Sequence, residues 1–108
     1  MAPLNPRGGR PRTRLVRHVH QRDTHCHLCG LPVDLDLDPQ HPLGRSVDEL
    51  TPIIDGGDPL DPTQCFLAHR CCNSSRGRRA ITAAIRHRCR ELVLGHLEQS
   101  ATPTVRPY

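Results

Sequence analysis

Two pairs of metal-binding side chains with the same spacing constrain the fold of this chain more than any other feature. They are Cys26-x-x-Cys29 and, about forty residues later, His69-x-x-Cys72. Two such side chains three positions apart can grip one zinc ion, and Gly30 relieves the tight turn after the first pair. Together the two pairs supply the four ligands of a closed tetrahedral site. We therefore predict a structural zinc ion bound by all four.

Other ligand sets remain open from the sequence. Cys71 can stand in for Cys72, although its spacing from His69 is less suitable. Either His25 or His27 can supply the imidazole instead, although both adjoin the first cysteine too closely to bind the same ion easily. Ordinary buried thiols are the remaining alternative, and this interpretation explains poorly why two pairs occur in such a chain.

A metal ion matters here because the chain has little else from which to build a core. It has 108 residues, a hydrophobic fraction of 35%, one Phe, one Tyr and no Trp. Domains this small bury limited apolar area and often need a disulfide or a metal. The N-terminal segment lacks the apolar stretch of a secretion signal, and no run approaches the ~18 residues of a membrane span. We therefore expect a cytoplasmic protein with metal-bound cysteines, in which Cys65 and Cys89 are core residues.

The charges are unevenly distributed along the chain. All fifteen basic residues are arginine, and the formal net charge is +4. Residues 1–22 and 62–90 contain arginine and no acidic residue, whereas residues 23–61 hold nine of the eleven acids. Arginine binds phosphate bidentately, and clustered carboxylates favour a cation. Two basic segments around an acidic middle indicate a nucleic-acid partner and a cation site, with ordinary solvated surface as the alternative.

The apolar pattern predicts a small α+β domain. Residues 1–13 are interpreted as a disordered basic tail, residues 14–99 as the folded domain and residues 100–108 as a flexible tail.

Within this domain the pattern predicts two helices and one antiparallel hairpin. A short amphipathic helix is expected over residues 12–22 and a longer helix over residues 79–99. Strands are expected over residues 45–53 and 64–69, followed by a turn or helix start at residue 70. One face of the longer helix is expected to carry Ile81, Ile85, Cys89, Leu92 and His96.

The first strand carries two adjacent carboxylates, Asp48 and Glu49. Neighbouring residues on a strand point to opposite faces, so one of the two faces whatever lies behind the strand. A solvated strand edge is the alternative to a cation site here. The alternating Asp34, Asp36 and Asp38 are interpreted as an exposed loop face rather than as a second metal site.

As a set, three segments resemble the small free-standing HNH endonucleases of bacteriophages. They are CHLCG, SVDELTPIIDGG and LAHRCCNSSRG, and the resemblance covers roughly residues 14–80. It implies a zinc-stapled beta-beta-alpha metal finger (HNH-like) with flanking helices. It also implies one catalytic divalent ion, Mg²⁺ or another divalent metal, separate from the zinc knuckle.

The resemblance implies a role for each matching position. Asp48 matches the acid that binds the catalytic ion, and Asn73 matches the second ligand of that ion. Arg76 matches a basic residue that contacts phosphate. Further nucleic-acid contacts are expected from Arg70, Arg78 and Arg79.

Two positions depart from the family pattern. Glu49 occupies the position of the histidine that serves as general base, and Gln64 occupies that of the middle asparagine. A carboxylate is a weaker base than a neutral imidazole unless burial raises its pKa. Glu49 either activates water directly or ligates the metal, and His41, just before the strand, is a substitute base.

Two functions follow from these expectations. The first is a metal-dependent DNA endonuclease or nickase, encoded by a phage and associated with terminase or portal proteins during genome packaging. The second is a catalytically weak zinc-stabilised module of the same fold that binds DNA or assists packaging. A zinc-ribbon transcription factor fits less well, because ribbon knuckles lie closer together in sequence.

Overall fold

The computed structural model describes residues 9–77 and 80–101. It is the small α+β fold predicted from the sequence, with a two-stranded sheet and three helices. The elements in chain order are α1 (Gly9–Arg22), β1 (Arg45–Glu49), β2 (Cys65–His69), α2 (Arg70–Arg76) and α3 (Ala83–Ala101). Two single 3-10 turns, Ile53–Asp55 and Pro62–Gln64, lie between the strands.

Strands β1 and β2 pair antiparallel, with Arg45 opposite His69 and Glu49 opposite Cys65. This is the predicted hairpin, and helix α2 follows β2 without a connecting loop. Because His69 ends the strand and precedes the helix, the His69-x-x-Cys72 pair is placed on the first turn of α2.

The first strand is shorter than predicted, because the chain turns back after Glu49. The N–H of Gly57 donates to the carbonyl oxygen of Pro52 at 2.9 Å, which closes a tight loop. A Cβ atom at Gly57 would lie 1.8 Å from the carbonyl oxygen of Thr51, so only glycine fits this approach.

Helix α1 begins earlier than predicted and takes in residues 9–13 of the segment interpreted as a tail. Its buried side chains Leu15 and Val19 pack into the core. Arg12 Nη1 donates to the carbonyl oxygen of Pro59 at 2.6 Å and so ties the first turns to the loop between the strands. Residues 1–8 and 102–108, the rest of the two predicted tails, lie outside the described residues.

Helix α3 starts at Ala83, four residues later than predicted. The prediction that Leu92 faces the core was wrong, because Leu92 is 56% exposed whereas Val93 is 1% exposed. The core-facing row runs through the partly buried Ile85 and the buried Cys89 and Val93 at steps of four residues, and it leaves Leu92 beside it.

The end of α1 is tied to β2 through Asp23. Its carboxylate accepts two hydrogen bonds from the Arg22 guanidinium, at 2.6 and 2.8 Å, and one from the Leu67 N–H at 3.1 Å. The Arg22 hydrogen bond is the main reason that the pKa of Asp23 is lowered.

Within the described ranges, no helix combines the length and apolar character needed to cross a bilayer.

Candidate metal centre and adjacent cleft

Four side chains from two distant parts of the chain meet in the interior. They are Cys26, Cys29, His69 and Cys72, all buried, and their ligand atoms lie within 4.8 Å of one another. This is the set that the spacing predicts. Three thiols and one imidazole at this separation could hold a metal ion such as zinc.

The first pair is presented by a tight knuckle. The N–H of Gly30 donates to the Cys26 carbonyl at 2.8 Å, and the N–H of Cys29 donates to the Cys26 sulfur at 3.4 Å. Gly30 adopts φ +82°, a left-handed conformation that favours glycine. Two α3 arginines bond the Cys29 carbonyl, Arg90 Nη1 at 2.6 Å and Arg86 Nη2 at 3.3 Å. The conformation of the knuckle is therefore stabilised both by its own hydrogen bonds and by those from helix α3.

The imidazole of His69 is oriented by a bond on the side away from the thiols. Its Nδ1 lies 3.3 Å from the Cys29 sulfur and 3.8 Å from the Cys72 sulfur. Its Nε2 lies 2.9 Å from the carbonyl oxygen of Pro32 and donates to it when it carries the proton. This arrangement leaves Nδ1 as the ligand atom, in the way that carbonyl partners orient metal-binding histidines.

Hydrogen bonds within this group shift the pKa values of its members. Burial opposes the charge of His69, but hydrogen bonds to Cys26 and Cys29 raise its pKa to about 10. The pKa of Cys26 is lowered, chiefly by its hydrogen bond with Cys29, while that of Cys72 is raised. A divalent cation would replace the proton that these groups share, since ligation requires thiolates and a neutral imidazole.

A cleft of about 310 Å³ opens between β1 and α2. It brings together three of the four residues predicted to be catalytic, Asp48, Glu49 and Asn73, with Arg76, the predicted phosphate contact. The described residues that line it are Val47, Asp48, Glu49, Pro52, Asn73, Arg76 and Gly77.

Asp48 is 3% exposed and lies between two nitrogen donors. Its Oδ1 accepts from Arg76 Nη1 at 2.7 Å, and its Oδ2 lies 2.7 Å from His27 Nε2. Arg76 also lies 3.4 Å from the carbonyl oxygens of Glu49 and Leu50. The carboxylate predicted to bind a cation thus contacts a guanidinium and an imidazole in this structure.

Sequence reasoning missed the contact of His27 with Asp48; His27 does not line the cleft itself but a neighbouring hollow beside Phe66. It lies inside the knuckle, where its backbone N–H donates to the Leu67 carbonyl at 2.9 Å and its ring centre is 5.4 Å from that of Phe66, with the two rings tilted by 35°. A signal was available, because the four predicted ligands already place the knuckle beside β2. The spacing does not predict that the ring of His27 points toward Asp48 rather than toward the ligand cluster.

Asn73 contacts β1 through its amide nitrogen. Nδ2 donates to Ser46 Oγ at 2.8 Å and lies 3.4 Å from the carbonyl oxygen of Val47. These contacts fix the first turn of α2 on the strand that carries Asp48. The predicted pair of catalytic ligands, Asp48 and Asn73, therefore lies on adjoining walls of one cleft.

Of the two positions that depart from the pattern of the resembled family, Glu49 lines the same cleft as this pair and Gln64 does not. Glu49 borders the cleft, but its carboxylate Oε2 lies 3.5 Å from Nη2 of Arg12 on helix α1. Gln64 is in the second 3-10 turn, where its carbonyl accepts the Leu50 N–H at 2.8 Å, and it does not line the cleft.

Other predicted residues form local contacts. Arg70 Nη1 donates to Gln40 Oε1 at 2.5 Å, whereas Arg78 and Arg79 lie outside the described residues. Asp34 and Asp38 accept backbone N–H groups two residues later, at 3.0 and 2.8 Å, as in an ordinary loop.

The remaining candidate base, His41, lies away from the cleft. Its Nδ1 accepts the Leu43 N–H at 3.0 Å, and its ring centre is 6.1 Å from that of His96.

No protein-family model, curated protein or solved structure matches this chain.

Proposed function

We propose that this chain is a metal-dependent DNA endonuclease or nickase of the HNH type. The observation that carries the proposal is the cleft in which Asp48 and Asn73 adjoin Arg76, with His27 bonded to the same carboxylate. Phosphodiester hydrolysis requires a cation, a proton acceptor and positive charge near the phosphate. Carboxylate and amide oxygens, an imidazole and a guanidinium supply those groups.

In this proposal Asp48 and Asn73 would hold the catalytic divalent ion, which would supply Lewis-acid stabilisation of the leaving oxygen. Carboxylate and amide oxygens suit Mg²⁺. Arg76 neutralises Asp48 in the present arrangement, through a 2.7 Å contact. Once the carboxylate binds a cation, the guanidinium can turn to a phosphate oxygen, which it matches bidentately.

The base in this proposal is His27 rather than Glu49. Successive residues of β1 point to opposite faces, and the Glu49 carboxylate lies beside Arg12. His27 has a partly exposed ring, and its Nε2 contacts Asp48 at 2.7 Å. An imidazole oriented by a carboxylate is the common arrangement for proton transfer near neutral pH.

The wider setting follows from the resemblance and stays a prediction. In this prediction the four-ligand cluster holds a structural Zn²⁺, and Arg70, Arg76, Arg78 and Arg79 contact the DNA backbone. A phage origin, a role in genome packaging beside terminase or portal proteins, and a location in the host cytoplasm complete the proposal.

The second candidate is a catalytically weak, zinc-stabilised module that binds DNA or assists packaging. The contacts of Asp48 favour it, because both carboxylate oxygens already bond to Arg76 and His27. A carboxylate held in this way contributes to stability without any bound cation. The two candidates differ in whether a divalent ion displaces these contacts.

Nicking of supercoiled plasmid separates the two candidates. We expect the zinc-loaded protein to nick with Mg²⁺ or Mn²⁺, and Asp48→Asn to lower the rate by about 100-fold or more, since it removes the charge that holds the ion. Asp34→Asn is the matched control, because Asp34 caps a loop turn away from the cleft. A wild-type protein that binds DNA but stays inert with every divalent ion would establish the second candidate.

The base assignment has its own test. His27→Gln is expected to lower the nicking rate by about 100-fold, because general bases contribute about 10²–10⁴-fold. His25→Gln is the matched control, since His25 is exposed and its Nδ1 bonds only to the adjacent Thr24 hydroxyl among the described contacts. The opposite result, a large loss in Glu49→Gln and none in His27→Gln, would assign the base to Glu49.

A further inference from the structure

Five of the six cysteines meet at one place in the fold. Besides the four-ligand cluster, Cys71, Cys72 and Cys89 form a second group whose sulfur atoms all lie within 4.8 Å of one another. Cys72 belongs to both groups, and all six cysteines are free thiols. The sixth, Cys65, lies elsewhere, 3.8 Å from the carbonyl oxygen of Pro59.

The second group is held by regular structure. The N–H of Cys71 donates to the Pro42 carbonyl at 2.6 Å, which fixes the start of α2. Cys89 belongs to the core-facing row of α3, and α2 and α3 pack against each other. The group thus lies where two helices meet, so its spacing does not depend on a loop.

We propose that Cys71, Cys72 and Cys89 bind a second thiophilic divalent cation, bridged to the first by the Cys72 sulfur. Metal–thiolate bonds are about 2.3 Å, so three sulfurs around one ion lie about 4 Å apart. The three sulfur atoms lie within 4.8 Å of one another, so a small movement toward a common ion brings them to this separation. A thiolate has lone pairs enough to contact two ions, which is why the shared cysteine can bridge.

Charge and access support the second site. Two divalent cations and five thiolates leave one net negative charge, and binding releases the thiol protons to water. The guanidinium groups of Arg86 and Arg90 lie against the knuckle and offset that charge. Cys71 is only partly buried, which gives an ion a path inward and leaves a coordination position for water.

Cadmium is the probe for this site, because it binds thiolates strongly and its charge-transfer absorbance reports each new Cd–S bond. Metal-free protein, kept reduced, is titrated with Cd²⁺ and its stoichiometry is read by native mass spectrometry. We expect two thiolate-bound Cd²⁺ per wild-type chain, as counted by the Cd–S absorbance, and one in Cys71→Ser and in Cys89→Ser. Cys65→Ser, which removes a buried thiol outside both groups, is expected to keep two.

The resonances of ¹¹³Cd distinguish the two sites. Wild type is expected to give two signals coupled through the bridging sulfur, and Cys89→Ser is expected to keep only that of the four-ligand site. That remaining signal also shows that the variant is folded. A single Cd²⁺ in wild type, or two in Cys89→Ser, would overturn the proposal. Neither outcome depends on nuclease activity, so this site and the proposed function are tested separately.

Discussion

Removing metal from the four-ligand site is expected to abolish the cooperative unfolding of this domain. Structural zinc supplies roughly 10–16 kcal/mol of apparent binding free energy in small metal-stabilised domains. Whole domains are stable by only about 5–15 kcal/mol, and the buried apolar set here consists of a few aliphatic residues around the cysteines. Without the ion, three buried thiols and an imidazole remain as polar groups in the centre of that set.

The measurement is thermal unfolding by circular dichroism, before and after a chelator strips the reduced protein, with zinc content measured in parallel. Cys29→Ser is expected to behave like the stripped protein, because it removes one ligand from the cluster. Cys65→Ser is the matched control, since Cys65 is equally buried. Its loss is expected to cost about 1–2 kcal/mol. A Cys29→Ser variant that melts within a few degrees of wild type would contradict the assignment.

The ligand cluster could be predicted because its geometry is local. Cys-x-x-Cys and His-x-x-Cys each fix two side chains within one turn of chain, and tertiary structure only has to bring the two turns together. The hairpin was predictable for a similar reason, since a turn-rich loop separates two short apolar runs. The strand-to-helix junction at His69 then follows from the ligand spacing.

The surroundings of the two carboxylates were harder to predict. The alternation of side chains along a strand places Asp48 and Glu49 on opposite faces of the sheet. It does not predict which residues each carboxylate contacts. Helix α1 determines the neighbour of Glu49, because Arg12 of that helix lies 3.5 Å from the Glu49 carboxylate. This contact was not predicted, because α1 begins in a segment whose Pro, Gly and Arg content indicated a tail. His27 was missed because its histidine-rich surroundings suggested only competition for the zinc ion.

A second large effect is expected from the contact between Arg76 and Asp48. Asp48 is buried, and its Oδ1 lies 2.7 Å from Arg76 Nη1. Breaking a buried ion pair by removing one partner costs about 3–5 kcal/mol, because the other charge stays buried without compensation. Arg76→Met keeps much of the packing volume and is expected to lower the free energy of unfolding by about 3 kcal/mol in urea denaturation of the zinc-loaded protein.

Arg70→Met is the matched control, since Arg70 lies at the other end of the same helix and donates to the exposed Gln40. It is expected to change stability by no more than about 0.5 kcal/mol. The double variant Asp48→Asn with Arg76→Met should recover much of the loss, because no buried charge then lacks a partner. Strictly additive losses in this cycle would mean that the two side chains do not interact. The contact with His27 would then be the main one that holds Asp48, and cation binding at the cleft would not have to displace Arg76.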